Sequence, residues 1–405
     1  MSQNDPSEGI LRDASRHYAS GAADKAKKLM RKLPPPKSWA ARAAFVQLHR
    51  NLGTPRPEEE ASLSAELAPP PVSAEQAFDR AQAYLLLNHA EALPAAQLAH
   101  ALNPTEDGPI LLVLKILLEA NQPDEAYAAM LKAVDRRTDQ GGLLLAVAKI
   151  FGQRDHIPHA EALLDLARPH HQDNLAEFDF VKAGILGTLP AGSSQSDMAE
   201  TIFNKFAGDY DQVLADIGYR VPEIVREMLA ASPLKKSKHL NVLDAGCGTG
   251  LCAKLLRPYS KSLHGVDISA AMLEKAKAKK IYDGLTRSDL NQPATVPAGP
   301  FDLVVAADVL IYFGNLAPVL ASLGQRVAPG GWLLLTVENG EALPSPGFKL
   351  GASGRYKHSE DHVTSALTAA GMGRPKQMLH RTLRYEFGTE VKGLAFAAQK
   401  PMLAF

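Results

Sequence analysis

Between Leu240 and Gly250 the chain reads Leu-Asn-Val-Leu-Asp-Ala-Gly-Cys-Gly-Thr-Gly, an apolar run that ends in an acid and then places glycine at every second position. Few folds use such a stretch. A short apolar run bounded by turn residues reads as a buried strand, and Leu251 to Pro258 after it reads as the start of a helix. The glycines let the chain turn sharply and leave the backbone open to a ligand that a Cβ would exclude. Amides at a helix start have no partner inside the helix and favour an electron-rich group. A strand–helix corner with no ligand satisfies the same pattern, so the turn alone does not decide the matter.

A second apolar run, Ser262-Leu-His-Gly-Val-Asp267, ends in an acid 21 residues after Gly246. A strand lying beside the first presents a carboxylate there to a ribose diol. The dinucleotide form of the motif requires Gly-x-Gly-x-x-Gly, and Leu251 occupies its third glycine position. That departure disfavours a pyrophosphate, and with it a nicotinamide oxidoreductase, and favours a smaller nucleoside ligand.

The segment Asp244-Ala-Gly-Cys-Gly-Thr-Gly250, with Asp267, Ser288-Asp289 and Pro329-Gly-Gly331, resembles a class I S-adenosylmethionine-dependent methyltransferase. The resemblance runs from Met198 to the C-terminus, about half the chain. It implies a Rossmann-like α/β domain with a seven-stranded sheet, and S-adenosyl-L-methionine as cofactor. It also implies a cofactor set of Asp244, Gly246, Gly248, Gly250, Asp267, Ile268, Met272, Asp289 and Leu290. Ile268 and Met272 would pack on the adenine, and the acid at Asp289 would accept from its amino group. Phe206 and Tyr210 precede the first strand, in a segment that in such enzymes closes over the cofactor. The alternative for both is an ordinary core aromatic.

Phe301 to Ala307 reads as a buried strand. Its exit, Ala306-Ala-Asp-Val-Leu-Ile-Tyr-Phe313, falls at the carboxyl end of the sheet, where open α/β folds bind substrate. Asp308 is a candidate there for contact with substrate or cofactor, with helix capping as the alternative. The Asn/Asp-Pro-Pro-Tyr/Phe sequence of amino-methylating enzymes acting on adenine or glutamine is absent. Gly351-Ala-Ser-Gly-Arg-Tyr-Lys-His358 reads as a loop, which makes Arg355, Tyr356 and His358 candidates for gating and for a general base, with a solvated loop histidine as the alternative for His358. Gln377 to Tyr385 and Val391 to Gln399 read as a closing hairpin.

Residues 1–187 show almost no strand pattern. Ala92, Ala126 and Ala160 recur every 34 residues, as do Ala99, Ala133 and Ala167, in phase with turn residues near Asn88, Asn121 and Gln153. A helix–turn–helix unit of that length resembles the tetratricopeptide repeat. Such arrays offer a concave face to peptides or protein partners, or serve self-association. Residues 188–197 are turn-rich and read as a linker, leaving 198–405 as the methyltransferase domain.

Composition excludes more than it identifies. Lysine plus arginine and aspartate plus glutamate number 44 each, so no nucleic-acid partner is expected. Two cysteines, Cys247 and Cys252, make neither a disulfide framework nor a metal site. A polar start and the lack of long apolar runs give the expectation of a cytoplasmic protein with no membrane segment. The acceptor reads as a peptide or protein, or a small molecule. A non-catalytic scaffold that binds the cofactor is the remaining alternative.

Overall fold

The computed structural model describes residues 6–19, 23–31, 33–136, 140–186, 208, 210–341, 343–386 and 389–402. Contacts divide it into two compact units, Met1–Ala148 with Glu161–His170, and Lys149–Ala160 with His171–Phe405.

Helices fill the first part of the chain, in pairs. α1 (Pro6–Ala19) and α2 (Ala23–Met30) are followed by α3 (Trp39–Asn51) and α4 (Pro57–Leu67). Then come α5 (Ala74–Leu86) with α6 (Ala92–Leu102), α7 (Asp107–Glu119) with α8 (Pro123–Val134), and α9 (Gly141–Gln153) with α10 (Ile157–Ala167). The last three pairs begin at residues 74, 107 and 141, steps of 33 and 34. All six periodic alanines are buried, the most exposed at 5%. Between the helices of each pair Asn88, Asn121 and Asp155 adopt φ of 54°, 57° and 64°. Asn and Asp tolerate this left-handed conformation best among residues with a side chain, so the turn recurs with the alanines.

The unit boundary differs from the one expected at residue 187. It passes through α9 and α10, and α11 (Leu175–Leu186) belongs with the sheet, where Ala183 packs against Leu350 and Tyr356. A short apolar helix carries no mark in sequence of which side of a boundary it packs on. The expected linker, residues 188–197, and Phe206 lie outside the described residues.

The second unit is built on a nine-stranded sheet. β1 (Leu240–Ala245), β2 (Ser260–Asp267), β3 (Gly284–Arg287), β4 (Phe301–Ala306) and β5 (Val327–Asn339) are parallel in the order β3-β2-β1-β4-β5. β9 (Thr389–Gln399) pairs antiparallel with β5, and β8 (Gln377–Glu386) with β9, which is the expected hairpin. Two short strands, β6 (Phe348–Leu350) and β7 (Tyr356–His358), pair with one another, and β7 extends the end of β5. They raise the expected seven strands to nine; of the loop expected at residues 351–358, residues 351–355 stay irregular and 356–358 form β7.

Both sheet faces are covered, as a parallel sheet requires. α13 (Val221–Ala230) presents Val221, Ile224, Val225 and Met228 to one face, beside Val242, Leu303 and Leu334. α16 (Ala317–Arg326) and α17 (Glu360–Ala369) present Leu320, Leu323, Val363 and Leu367 to the other, beside Val304, Leu333 and Phe396. Order reverses between β1 and β4, which opens a crevice at the carboxyl ends of the strands.

Candidate cofactor and active site

The turn after β1 supplies the floor of that crevice. Gly246, Gly248 and Gly250 have φ of 74°, 53° and 83°, all left-handed. A Cβ on Gly246 would stand 2.4 Å from Cγ2 of Val309, so this glycine lets the exits of β1 and β4 close on one another. At Gly248 the same atom would meet nothing within 4 Å, because that position opens onto the cleft. The helix after the turn, α14 (Ala253–Leu256), is shorter than the expected 251–258. Amides of Gly250 and Ala253 donate three residues back, to the carbonyls of Cys247 and Gly250, so the tight turn runs on into what reads as helix.

The cleft has a cavity volume of about 110 Å³ and opens to solvent. Its lining follows the strand order. The exit of β3 gives Asp289 and Leu290, that of β2 gives Asp267 and Ile268, and Met272 comes from α15 (Ala270–Ala278). The β1 turn gives Asp244, Gly246 and Gly248, and the exit of β4 gives Asp308, Val309, Tyr312 and Phe313. Tyr210 and Leu214, from α12 (Tyr210–Asp216), also line it, with Tyr219. Gly250 is left out of the lining. It closes the turn from behind, where a Cβ would come within 2.9 Å of the Tyr282 ring.

Hydrogen bonds and one ion pair fix the carboxylates. Asp267 accepts from Gly248 N–H at Oδ2 (2.8 Å) and from Ser269 N–H at Oδ1 (2.9 Å). Burial raises its pKa, and these bonds oppose the rise. Asp244 is buried at 2% exposure and accepts from the Tyr282 hydroxyl at 2.6 Å. Burial pushes its pKa up to about 6. Asp289 accepts from the Asn291 amide (2.8 Å) and from Gln292 Nε2 (3.2 Å), which hold its turn. Asp308 has φ 56° and donates its N–H to Thr336 Oγ1 at 2.8 Å. Its carboxyl, pushed up by burial, accepts from Tyr219 and faces Arg384.

The structure separates Tyr356 and His358 from this set. Along β7 they alternate with exposed Lys357 and both turn into the core. Tyr356 is 1% exposed beside Phe348. His358 is fully buried and stacks on His362 with ring centroids 5.4 Å apart. Burial brings its pKa down to about 3. Neither lines the cleft, so the gating and base roles expected of a loop lose their geometric basis.

A methyltransferase domain matches residues 214–382. Methyltransferase-like protein 27 of Homo sapiens is 33% identical over 181 residues, a match spanning 44% of this chain and 69% of that protein. The chain belongs to the methyltransferase family. The mitochondrial ubiquinone biosynthesis O-methyltransferase of Candida albicans is 31% identical over 176 residues, covering 42% of this chain and 52% of that enzyme. Among solved structures, magnesium protoporphyrin IX methyltransferase from Synechocystis, with bound S-adenosylmethionine, aligns at 19% identity and a TM-score of 0.40. That alignment covers 52% of this chain and all of the other.

The residues of this methyltransferase fit the cofactor the sequence implies. Gly248 leaves open backbone where a ligand lies, and the amides holding Asp267 occupy only part of its acceptor capacity. Every charged side chain among the described residues lining the cleft is an aspartate, which suits a cationic ligand. Sequence reading missed an ionic cluster behind Asp308, where Arg384 meets Glu338 and Glu386, and Arg355 meets Glu386. Its members sit on β5, on β8 and in the segment between β6 and β7, and no local motif joins them. It also missed Asp211, whose carboxylate reaches Thr249 in the glycine turn and Lys279 Nζ (3.0 Å).

Proposed function

We propose that the protein transfers a methyl group from S-adenosyl-L-methionine to a small-molecule acceptor held at the β4 end of the cleft. One observation carries this reading. The exits of four adjacent strands line a single cleft that has a carboxylate anchored by backbone amides, Asp267, and an open glycine position at Gly248. Asp289 and Leu290 would meet the adenine, with Ile268 and Met272 against its face. The Gly248 turn would face the sulfonium amino-acid portion, and Tyr210 with Leu214 would cover it. The cofactor supplies an electrophilic methyl and a neutral thioether leaving group, so no residue has to protonate what leaves. Alignment of acceptor, methyl and sulfur is then the main task of the cleft walls. Asp308 would touch the acceptor and take its proton.

A small acceptor is favoured over a peptide because α12 and the β4 exit both line the acceptor end of the cleft. Calorimetric titration with S-adenosylmethionine should show one site, and NAD should show none. Asp267→Ala should weaken S-adenosylmethionine binding on the order of ten- to a hundred-fold, as expected for loss of charge-assisted hydrogen bonds worth about 1.5–3 kcal/mol. Unchanged affinity in that variant would remove the ribose assignment.

A further inference from the structure

At the β4 end of the cleft the lining is aromatic, with Tyr210, Tyr219, Tyr312 and Phe313 beside Leu214, and Asp308 is the carboxylate among them. Two guanidinium groups stand behind it. The Arg384 side chain, 1% exposed, pairs with Glu338 and, through Nε, with Glu386 Oε1 at 2.7 Å. Arg355 pairs with the same Glu386 and lies 3.5 Å from the Tyr312 hydroxyl. Two arginines thus face two glutamates before Asp308 is counted. The gap from Asp308 Oδ1 to Arg384 Nη1 is 3.5 Å, longer than the roughly 2.7–2.9 Å of a charge-assisted bond. Among the described residues the cluster has two guanidinium groups and three carboxyl groups, and the unmatched carboxyl, Asp308, is the one that lines the cleft. Among the described residues lining the cleft there is no arginine, and Arg384 is buried behind Asp308. Asp308 also keeps a left-handed backbone, φ 56°, tied down by Thr336. Such a conformation at a site wall holds a side chain in one direction.

We infer that the methyl acceptor is an amine on an aromatic or apolar body, bound as its ammonium ion between Asp308 and the tyrosine faces, and that carboxylate acceptors are rejected. This rests on reading the cleft as a methyl-transfer site. Tyrosine faces attract a cation, and the surplus carboxylate attracts it directly. A carboxylate acceptor would place a second anion against Asp308 in a desolvated pocket, which is discrimination by repulsion. The chemistry balances. Asp308 takes one N–H proton from the ammonium and frees the nitrogen lone pair. That pair forms the bond to the methyl carbon while the carbon–sulfur electron pair leaves on sulfur as a neutral thioether. The positive charge passes from sulfur to the methylated nitrogen.

The test uses the full-length protein saturated with S-adenosylhomocysteine and titrated at neutral pH with 2-phenylethylamine, 2-phenylethanol and 3-phenylpropionate. The ammonium probe should bind about ten-fold or more tightly than the carboxylate, a difference of about 1.4 kcal/mol, with the alcohol between them. Asp308→Asn should bring amine and acid to within about three-fold of each other. Equal or tighter binding of the acid, binding of none of the three, or an amine preference that survives Asp308→Asn would overturn the inference. If Asp308→Asn fails to fold, the order of the three probes on the unaltered protein still decides. Failure of S-adenosylhomocysteine itself to bind would instead sink the methyl-transfer reading.

Discussion

Asp244 closes β1 at the bottom of the glycine turn, and its raised pKa of about 6 has a direct consequence for ligand binding. The folded chain holds a proton there that the unfolded chain has released, so this group's contribution to stability falls as pH rises from about 4 to about 6. A cationic cofactor favours the carboxylate and drives that proton off. Affinity for S-adenosylmethionine should therefore rise from pH 5 to pH 7, by at most about ten-fold per unit below the pKa. Calorimetry in two buffers of different ionisation enthalpy would show proton release at the low end. Tyr282→Phe removes the hydroxyl that donates to Asp244, so the rise should move to higher pH. A flat profile, or the same slope in Asp244→Asn, would refute the coupling. The residues of this turn were legible in sequence because their chemistry is local: glycine, acid and strand end lie within 11 positions. Arg384 and Glu338, 46 residues apart, meet only through the pairing of β8, β9 and β5, and nothing near either marks the other. Tyr356 and His358 were misread for a related reason. A three-residue strand is too short for its alternation to stand out from a polar loop.

At the scale of elements, α12 acts as a clasp. Its Asp211 joins the glycine turn at Thr249 and α15's C-cap residue Lys279, while Lys275 Nζ donates to the Gly208 carbonyl at 3.4 Å. Tyr210 and Leu214 are thereby kept over the cleft. The Lys279–Asp211 pair is part-exposed, so its share is small, and the hydroxyl bond adds roughly 1 kcal/mol. Asp211→Ala should speed dissociation of S-adenosylhomocysteine about five-fold with little change in melting temperature, measured by stopped-flow fluorescence or competition. An unchanged off-rate would show that the clasp does not hold the ligand in. The sequence reads as two helical segments around residues 206–211; residues 198–207 and 209 lie outside the described residues, and α12 and α13 follow, with their break at residues 217–220. Their patterning is amphipathic and extends over whole turns, which is why they could be read. The clasp could not, because Asp211 and Thr249 are 38 residues apart.

For the whole molecule, the placement of α11 decides where the catalytic unit begins. A Cβ on Gly184 would fall 2.4 Å from the Gly351 carbonyl oxygen, and Ala183 packs on Leu350 and Tyr356, so the helix lies directly on the β6–β7 pair. A Cβ on Gly152, in the same compact unit, would stand 3.0 Å from Ile185 Cγ2 and 3.2 Å from Ala352 Cβ. A fragment of residues 198–405 would uncover these side chains, at about 1.5–3 kcal/mol for each large one fully re-exposed. A fragment of residues 141–405 would keep them covered. The shorter fragment should therefore melt at a lower temperature or aggregate, while the longer one should bind S-adenosylmethionine as the full chain does. If both fragments melt alike, α11 is an accessory and the boundary near residue 187 is restored. The longer fragment also tests what the preceding helix pairs contribute. Every described residue lining the cleft lies within residues 210–313, so turnover of a freely diffusing acceptor should survive removal of residues 1–140. An acceptor delivered by a docked partner would lose kcat/KM in that fragment while cofactor affinity stayed the same. That split would assign the helix pairs to delivery, and its absence would assign them to self-association, visible as a change in mass by light scattering.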